Sequence, residues 1–165
     1  MALTFRASPL VGNSTRTGVI LAIDYGQKRL GLALSDEHGV TARPFAIWTR
    51  VNRRRDLTRL RELVRQHAVR RIVIGLPLHL DGTQSEMSGE AQAFGARVEK
   101  ALGIPVEMMD ERLSSWEAHQ TVAINKSRGS TNRSRKRRAT VDDVAAAVIL
   151  RDYLNRVHPQ EGTPD

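Results

Sequence analysis

The stretch Val19-Ile-Leu-Ala-Ile-Asp24-Tyr-Gly26 decides how this chain folds. Its run of apolar residues predicts a strand that is buried on both faces of a sheet. The run ends on Asp24, and a carboxylate in such a place is costly unless it is paired or bound to a metal ion. Asp24 is therefore either a turn-forming residue beside Gly26 or a functional acid, and its partners along the chain must decide.

Two further strands follow the first. In Arg29–Ser35, leucines alternate with the small residues Gly31 and Ala33, a period of two that is typical of a strand. The connection to the first strand is short, so the two are expected to form an antiparallel hairpin. Residues 40–48 give a third strand, in which Pro44 favours an edge position because proline lacks a backbone donor.

Helices and strands alternate in the rest of the chain. Helical spacing of apolar residues and short apolar runs between them define the elements, and a capping box at Ser114–Glu117 predicts one more helix. The pattern predicts an α/β fold with a mixed five-stranded sheet, three antiparallel strands and then parallel ones, flanked by helices. The predicted elements are a helix over 56–67, a strand over 71–75, a helix over 87–102, a strand over 106–110 and a last helix over 140–157.

The 165 residues predict one domain, over residues 18–157, with a basic loop at 126–138 inside it. Residues 1–17 and 158–165 are expected to be flexible tails. No apolar run approaches the roughly 20 residues of a membrane span, so no membrane association is expected. Cysteine is absent, which excludes disulfides and favours a cytoplasmic location.

The charge of the chain indicates a polyanionic partner. Its formal net charge is +8, and the basic residues are clustered. Clustered arginine and lysine neutralise phosphates, so nucleic acid is the expected partner, although a charge run can also be a solvated loop. The first cluster consists of Arg50, Arg53, Arg54 and Arg55, and the second of Lys126, Arg128, Arg133, Arg135, Lys136, Arg137 and Arg138.

Two further acidic sites lie at the ends of predicted elements. Asp110 and Glu111 end the fifth strand, and since adjacent residues of a strand point to opposite faces, only one of them should serve a given site. Asp142 and Asp143 begin the last helix, nearer its apolar side. Helix capping accounts for Asp143 better than for Asp142.

Three converging acidic sites predict a metal centre. Carboxylates that come together without cationic partners repel one another, and a divalent ion relieves the repulsion. Ligation by oxygen alone selects Mg²⁺ or Mn²⁺. Together with a phosphate-seeking surface, such a centre predicts phosphodiester hydrolysis by two metal ions.

The motifs resemble those of a known family, the YqgF-type (RuvX) members of the RNase H-like superfamily. These are Holliday junction resolvases that are also linked to maturation of the 5′ end of pre-16S ribosomal RNA. The resemblance covers roughly residues 19–154. The matching motifs, in order, are Asp24-Tyr-Gly-Gln-Lys-Arg-Leu-Gly31, Ile74-Gly-Leu-Pro77, Asp81-Gly-Thr83, Asp110-Glu-Arg-Leu-Ser114, and Val141-Asp142 followed by an alanine-rich helix.

The resemblance implies an RNase H-like fold and a metal-dependent nuclease with Asp24, Glu111 and Asp142 as catalytic, metal-binding acids. It also implies Mg²⁺ or Mn²⁺ as cofactor and a DNA junction or precursor ribosomal RNA as partner. RuvC-type resolvases carry an acid at the end of the fourth strand, where this chain has Gly75-Leu-Pro77. The residues expected to contact nucleic acid are Lys28, Arg29, Arg112, Lys126, Arg128, Arg133, Arg135 and Lys136.

Alternatives stay open at this stage. A resolvase that cuts two strands symmetrically is expected to be a homodimer, whereas trimming of RNA needs one copy. Two hypotheses compete with a nuclease: a non-catalytic nucleic-acid-binding module, and an ATP-binding domain of the actin and sugar-kinase type. The last fold normally pairs two domains with two Asp-x-Gly hairpins, and this chain has one.

Overall fold

The computed structural model describes residues 18–76, 85–110 and 141–158, with side chains from Val144 onwards in the last segment. Five strands and three helices lie in these residues. They are β1 (Val19–Tyr25), β2 (Arg29–Ser35), β3 (Ala42–Thr49), α1 (Arg53–Gln66), β4 (Val69–Leu76), α2 (Glu86–Leu102), β5 (Val106–Asp110) and α3 (Val141–Val157).

The strands form one mixed sheet in the order β3-β2-β1-β4-β5. β1 pairs antiparallel with β2, and β2 antiparallel with β3, whereas β4 runs parallel to both β1 and β5. The predicted fold class is therefore confirmed. β1 is the central strand, and Pro44 lies in β3 at the edge of the sheet.

Several element boundaries differ from the sequence prediction; β4, for example, begins at Val69 instead of residue 71, and two of the differences have a clear cause in side-chain hydrogen bonds. α1 begins at Arg53 instead of residue 56, because the Asn52 side chain caps the helix by accepting a hydrogen bond from the Arg55 amide at 2.9 Å. β3 begins at Ala42 instead of Val40. The Asp36 carboxylate accepts the amide hydrogen bonds of Val40 and Thr41, which holds them in a turn and, with the Thr41 amide as the largest cause, lowers the pKa of Asp36.

Helices cover both faces of the sheet, so β1 is buried on both sides. Its odd-numbered residues, including Leu21 and Ile23, belong to the core beneath α1 and α2. Its even-numbered residues, Ile20 and Ala22, belong to the core beneath α3. This accounts for a strand that is apolar without alternation.

Small residues of β1 and β2 contribute to the face beneath α3. Ala22 and Ala33 of the sheet pack in one cluster with Ala146 and Ala147 of the helix. Small side chains on both surfaces let a helix lie close to a sheet. The alternation of leucine with small residues in β2 thus has a packing cause: the leucines face α1 and α2, and the small residues face α3.

A polar contact fixes the C-terminal half of α3 to the start of the parallel strands. The Tyr153 hydroxyl accepts a hydrogen bond from the Arg71 guanidinium at 2.7 Å and donates one to the Glu107 carboxylate. Burial, followed by the bond to Glu107, raises the pKa of Tyr153. Within the residues described above, no helix is long and apolar enough to cross a membrane.

Several predicted features lie outside the described residues. These are the tail over 1–17, the helix opened by Ser114–Glu117, the basic loop over 126–138 and the C-terminal tail beyond His158.

Replacement of Leu150 tests the role of α3 in the core. Leu150 is fully buried in the cluster beneath α3. We expect Leu150→Ala to lower the free energy of unfolding by about 2–5 kcal/mol, since truncation leaves a cavity. Val157→Ala, at the 43% exposed end of the same helix, is the matched control. Equal urea midpoints for the two variants would contradict this packing.

Candidate active site

The strand ends that carry the predicted acids meet at one end of the sheet. Because β1, β4 and β5 are parallel, their last residues, Tyr25, Leu76 and Asp110, lie at the same end. The antiparallel strands contribute the first residue of β2, Arg29, and the last of β3, Thr49, which are register partners. Carboxyl ends of strands in open α/β sheets are where ligands bind.

Asp24 lies on the face that α3 covers, with a glycine beside it on each neighbouring strand. It is half-buried and follows Ile20 and Ala22 on that face by strand alternation. Its register partner in β2 is Gly31. On the other side, Gly75 follows Ile74, the partner of Ile23. The residues beside Asp24 on both neighbouring strands are therefore glycines, which carry no side chains.

Asp110 belongs to the opposite face of the sheet. In β5, Met109 packs beneath α3 and Glu107 contacts Tyr153 of that helix, whereas Met108 packs on the core beneath α1 and α2. Strand alternation thus assigns Asp110 to the face away from Asp24. Of the two acids at this strand end, Asp110 is not the one that shares a face with Asp24.

The other predicted site residues divide into two groups. Lys28 and Arg29 are exposed in the hairpin between β1 and β2, directly after the strand that carries Asp24. Asp142 lies in the first turn of α3, four residues before the buried Ala146, and its side chain is not described. The predicted residues outside the described part of the chain are Glu111, Arg112, Lys126, Arg128, Arg133, Arg135 and Lys136.

The three predicted metal ligands are consequently not seen together. Among the side chains that the structure describes, no group of three or more His, Cys, Asp or Glu residues could hold a metal ion. Asp24 is the one predicted ligand in that set. Its carboxylate oxygens are the kind of ligand that a hard divalent ion prefers.

Arg50 fixes the hairpin that carries Asp24 to helix α1. Its guanidinium donates hydrogen bonds to the Tyr25 hydroxyl at 2.9 Å and to the Gly26 carbonyl oxygen at 3.1 Å. It also pairs with the Asp56 carboxylate at 3.0 Å, and its carbon Cζ lies 4.9 Å from the centre of the Tyr25 ring. The same carbon Cζ of Arg50 lies 5.5 Å from the centre of the Phe94 ring in α2.

The pair between Arg50 and Asp56 is shielded from water. Asp56 is 2% exposed, and the Arg50 side chain is 15% exposed. Burial disfavours the charge on Arg50, but hydrogen bonds to Asp56 and Tyr25 outweigh it, and the pKa of Arg50 is raised. This contact was not predicted from the sequence. Its signal was an acid on a core face, since Asp56 precedes the buried Leu60 by four residues.

Gly26 keeps the turn after Asp24 compact. A Cβ atom at this position would lie 2.7 Å from the Arg29 carbonyl oxygen, which is closer than real contacts allow. The glycine of Asp-Tyr-Gly is therefore required for a steric reason as well as a chemical one, because only glycine fits against the backbone at the start of β2.

A family comparison identifies the class of protein. The model of the family described as "RuvX: Holliday junction resolvase" matches residues 18–156. The chain belongs to the RuvX family. This family is one of nucleases, and the match confirms both the resemblance inferred from the motifs and the predicted class of activity.

Curated relatives span most of the chain. A protein of Koribacter versatilis (strain Ellin345) named "Putative pre-16S rRNA nuclease" is 42% identical over 139 residues, which are 84% of this chain and 88% of that protein. A protein of Anaeromyxobacter sp. (strain K) with the same name is 43% identical over 139 residues, 84% of this chain and 98% of that protein.

A solved structure shares the fold. The structure "T. thermophilus RuvC in complex with Holliday junction substrate" has a TM-score of 0.53 and 16% sequence identity, and the match covers 85% of this chain and 95% of that one. At this identity the match shows the architecture alone, which agrees with the RNase H-like fold inferred from the sequence.

Neutralisation of Asp56 tests the anchor of the hairpin. We expect Asp56→Asn to lower the free energy of unfolding by about 3 kcal/mol, because a mostly buried guanidinium loses its counter-ion. Urea denaturation at neutral pH measures the change. Glu62→Gln, an exposed acid on the same helix, is the control and should shift it by less than about 0.5 kcal/mol. The same small shift for Asp56→Asn would refute the anchor.

Addition of one methyl group tests the turn. We expect Gly26→Ala to cost about 1–3 kcal/mol of unfolding free energy, since the new Cβ must displace a backbone oxygen. Gly89→Ala in α2, where a Cβ would meet nothing within 4 Å, should instead be neutral or stabilise the helix by up to about 1 kcal/mol. Thermal and urea unfolding of both variants measure the contrast, and an equally tolerated Gly26→Ala would disprove the steric limit.

Proposed function

We propose that this chain is a metal-dependent nuclease that hydrolyses phosphodiester bonds in structured nucleic acid, and that its substrate is precursor 16S ribosomal RNA. The observation that carries the proposal is the half-buried Asp24 at the carboxyl end of the central strand, with a glycine on each side. A half-buried carboxylate at the end of a strand, with no side chains on the neighbouring strand positions, is suited to hold a divalent ion.

Glu111 is the second acid of the proposed centre. β5 places its odd-numbered residues, Glu107 and Met109, on the face of Asp24 and its even-numbered residues on the other. The parity of Glu111 thus matches that of Asp24, and the parity of Asp110 does not. One strand, β4, separates β1 from β5, so the two backbones are about 10 Å apart, and β4 fills the gap with Gly75.

Asp142 is the third acid. It opens the helix that packs on the face of Asp24, one turn before the buried Ala146. An acid near a helix N-terminus is also favoured electrostatically. The contact of Tyr153 with Arg71 and Glu107 holds the far end of this helix on the sheet, which supports a role for its first turn on the same face.

The ligand set of three carboxylates selects Mg²⁺ or Mn²⁺. When bound, a pair of such ions would supply activation of the attacking water and stabilisation of the leaving oxygen. The residues of the chain do the positioning. Asp24, Glu111 and Asp142 hold the ions, and Lys28, Arg29 and Arg112 bind phosphates that flank the scissile bond. The basic residues of 126–138 bind the strand outside the active site, through its phosphates and with little specificity for base sequence.

Two substrates are compared because two kinds of relative point to them. The curated relatives, at 42% and 43% identity over most of the chain, carry the name of a pre-16S ribosomal RNA nuclease. The family description names a Holliday junction resolvase. Symmetric cutting of a junction requires two active sites related by a two-fold axis, hence a dimer on the substrate. Cleavage of RNA by a monomer would support precursor 16S ribosomal RNA as the substrate.

Replacement of the acids tests the proposed centre. We expect Asp24→Asn and Glu111→Gln each to reduce metal-dependent cleavage at least about a hundredfold, because each removes a ligand of ions that stabilise charge in the transition state. The assay compares a precursor 16S ribosomal RNA fragment, a four-way DNA junction and single-stranded DNA, each with Mg²⁺, Mn²⁺ or EDTA.

Asp110→Asn is the matched control and should retain activity within about fivefold, since its side chain belongs to the other face. Loss of activity in Asp110→Asn but not in Glu111→Gln would overturn the assignment of the fifth strand. An Asp24→Asn protein that cleaves as well as the unaltered chain would sink the nuclease mechanism and favour a binding module.

A further inference from the structure

The first turns of α1 carry a basic surface that the proposed active site does not use. A groove of about 650 Å³ runs along one face of the helix. We call it the arginine groove. The residues that line it are Val51, Asn52, Arg54, Arg55, Thr58 and Arg59.

The positive charge of the arginine groove is not neutralised within the described part of the chain. The acid nearest in sequence, Asp56, is buried and pairs with Arg50, so it does not neutralise the arginines of the groove. Of the described residues that line the groove, three are arginines and none is an acid, and Arg54 and Arg55 are exposed. Moreover, cations in the first turn of a helix are repelled by the helix dipole. Arg54 and Arg55, in the first turn of α1, therefore do not stabilise the helix through its dipole, and their charge is available to an anion.

One of the three arginines is held in place before any ligand arrives. The Arg59 guanidinium stacks on Trp48, with Cζ 4.2 Å from the ring centre, and donates a hydrogen bond to the Thr49 carbonyl oxygen at 3.2 Å. A fixed guanidinium loses less entropy on binding an anion than a free side chain does. Arg59 thus gives the groove one wall of defined geometry.

The arginine groove opens at the end of the sheet where Asp24 lies. α1 follows β3, and Thr49 at the end of β3 pairs with Arg29 at the start of β2. β3 is two strands from β1, a lateral distance of about 10 Å. The exposed Lys28 lies in the hairpin between β1 and β2, at the same end of the sheet. α1 covers the face opposite to that of Asp24, so a polyanion that passes Asp24 would reach the groove by crossing this end of the sheet at Lys28.

From these observations we infer that the arginine groove binds the phosphodiester backbone of the substrate on one side of the cut, as a second nucleic-acid contact separate from the basic loop. This inference rests on the proposed nuclease function, because it takes the bound polyanion to be the substrate. Arginine recognises phosphates through paired N–H donors and reads no sequence in doing so. The contact adds affinity and sets the direction in which the strand leaves the active site.

A salt titration of binding tests the inference. Fluorescence anisotropy measures the affinity of the full chain for a labelled precursor 16S ribosomal RNA fragment, with EDTA present to prevent cleavage. We expect Arg54→Gln/Arg55→Gln to weaken binding about tenfold near 100 mM salt, and to lower the slope of log K against log salt by about 1.5, as two lost phosphate contacts predict.

Arg61→Gln/Arg65→Gln is the control, because it removes the same charge from exposed positions of the same helix outside the groove. Its affinity should change less than about twofold, in line with a general charge effect. Equal losses for the two double variants, or an unchanged slope for Arg54→Gln/Arg55→Gln, would overturn the inference. Urea unfolding checks that both variants fold.

The outcomes separate this inference from the nuclease proposal. If the unaltered chain cleaves no substrate with Mg²⁺ or Mn²⁺ while the difference in salt slope persists, the nuclease function fails and the groove stands as a binding site. If cleavage depends on Asp24 while the slope does not change, the groove fails and the nuclease function stands. If the unaltered chain binds neither RNA nor a DNA junction, the groove is refuted as a nucleic-acid surface.

Discussion

Register between β1 and its two neighbours is the constraint on which the rest of the structure depends. β1 is buried on both faces, and its pairings with β2 and β4 set which residues meet which helix. A slip by one residue would exchange the two faces, so that Asp24 would point towards α1 and α2 and Ile23 towards α3. The alternation of leucines with Gly31 and Ala33 resists such a slip, because it would move the leucines of β2 from the core beneath α1 and α2 to the face of α3.

Arginines near the active-site end of the sheet perform two different tasks. Arg50 is a structural cation: Asp56, Tyr25 and the Gly26 carbonyl surround it, and its charge is compensated inside the protein. Arg54 and Arg55 follow within five residues but remain exposed. The difference comes from a single acid on the core face of α1. A count of charge along the sequence cannot make this distinction, because it depends on which carboxylate is buried.

The sequence was sufficient for the elements whose signal is local. The apolar run of β1, the alternation in β2 and Pro44 in β3 predicted the sheet and its central and edge strands. The start of α1 was missed because Asn52, a polar cap, lies outside the apolar period. The contact between Arg50 and Asp56 was missed because it joins groups whose burial depends on packing of α1 against the sheet. For the site, sequence alone predicted that one acid of the pair after β5 would face away, and the faces of Met108 and Met109 indicate that it is Asp110.

The edge strand β3 limits how copies of this chain can associate. Its pairing shifts between Leu32 and Ala33, which face Ala46 and Pro44, so Phe45 is an extra residue that bulges out of the ladder. Pro44 beside it offers no amide hydrogen. A neighbouring strand would meet a bend and a residue without an amide hydrogen at the same point, which disfavours extension of the sheet from this side. The same bulge and proline that shape β3 therefore also protect its edge against association with other strands.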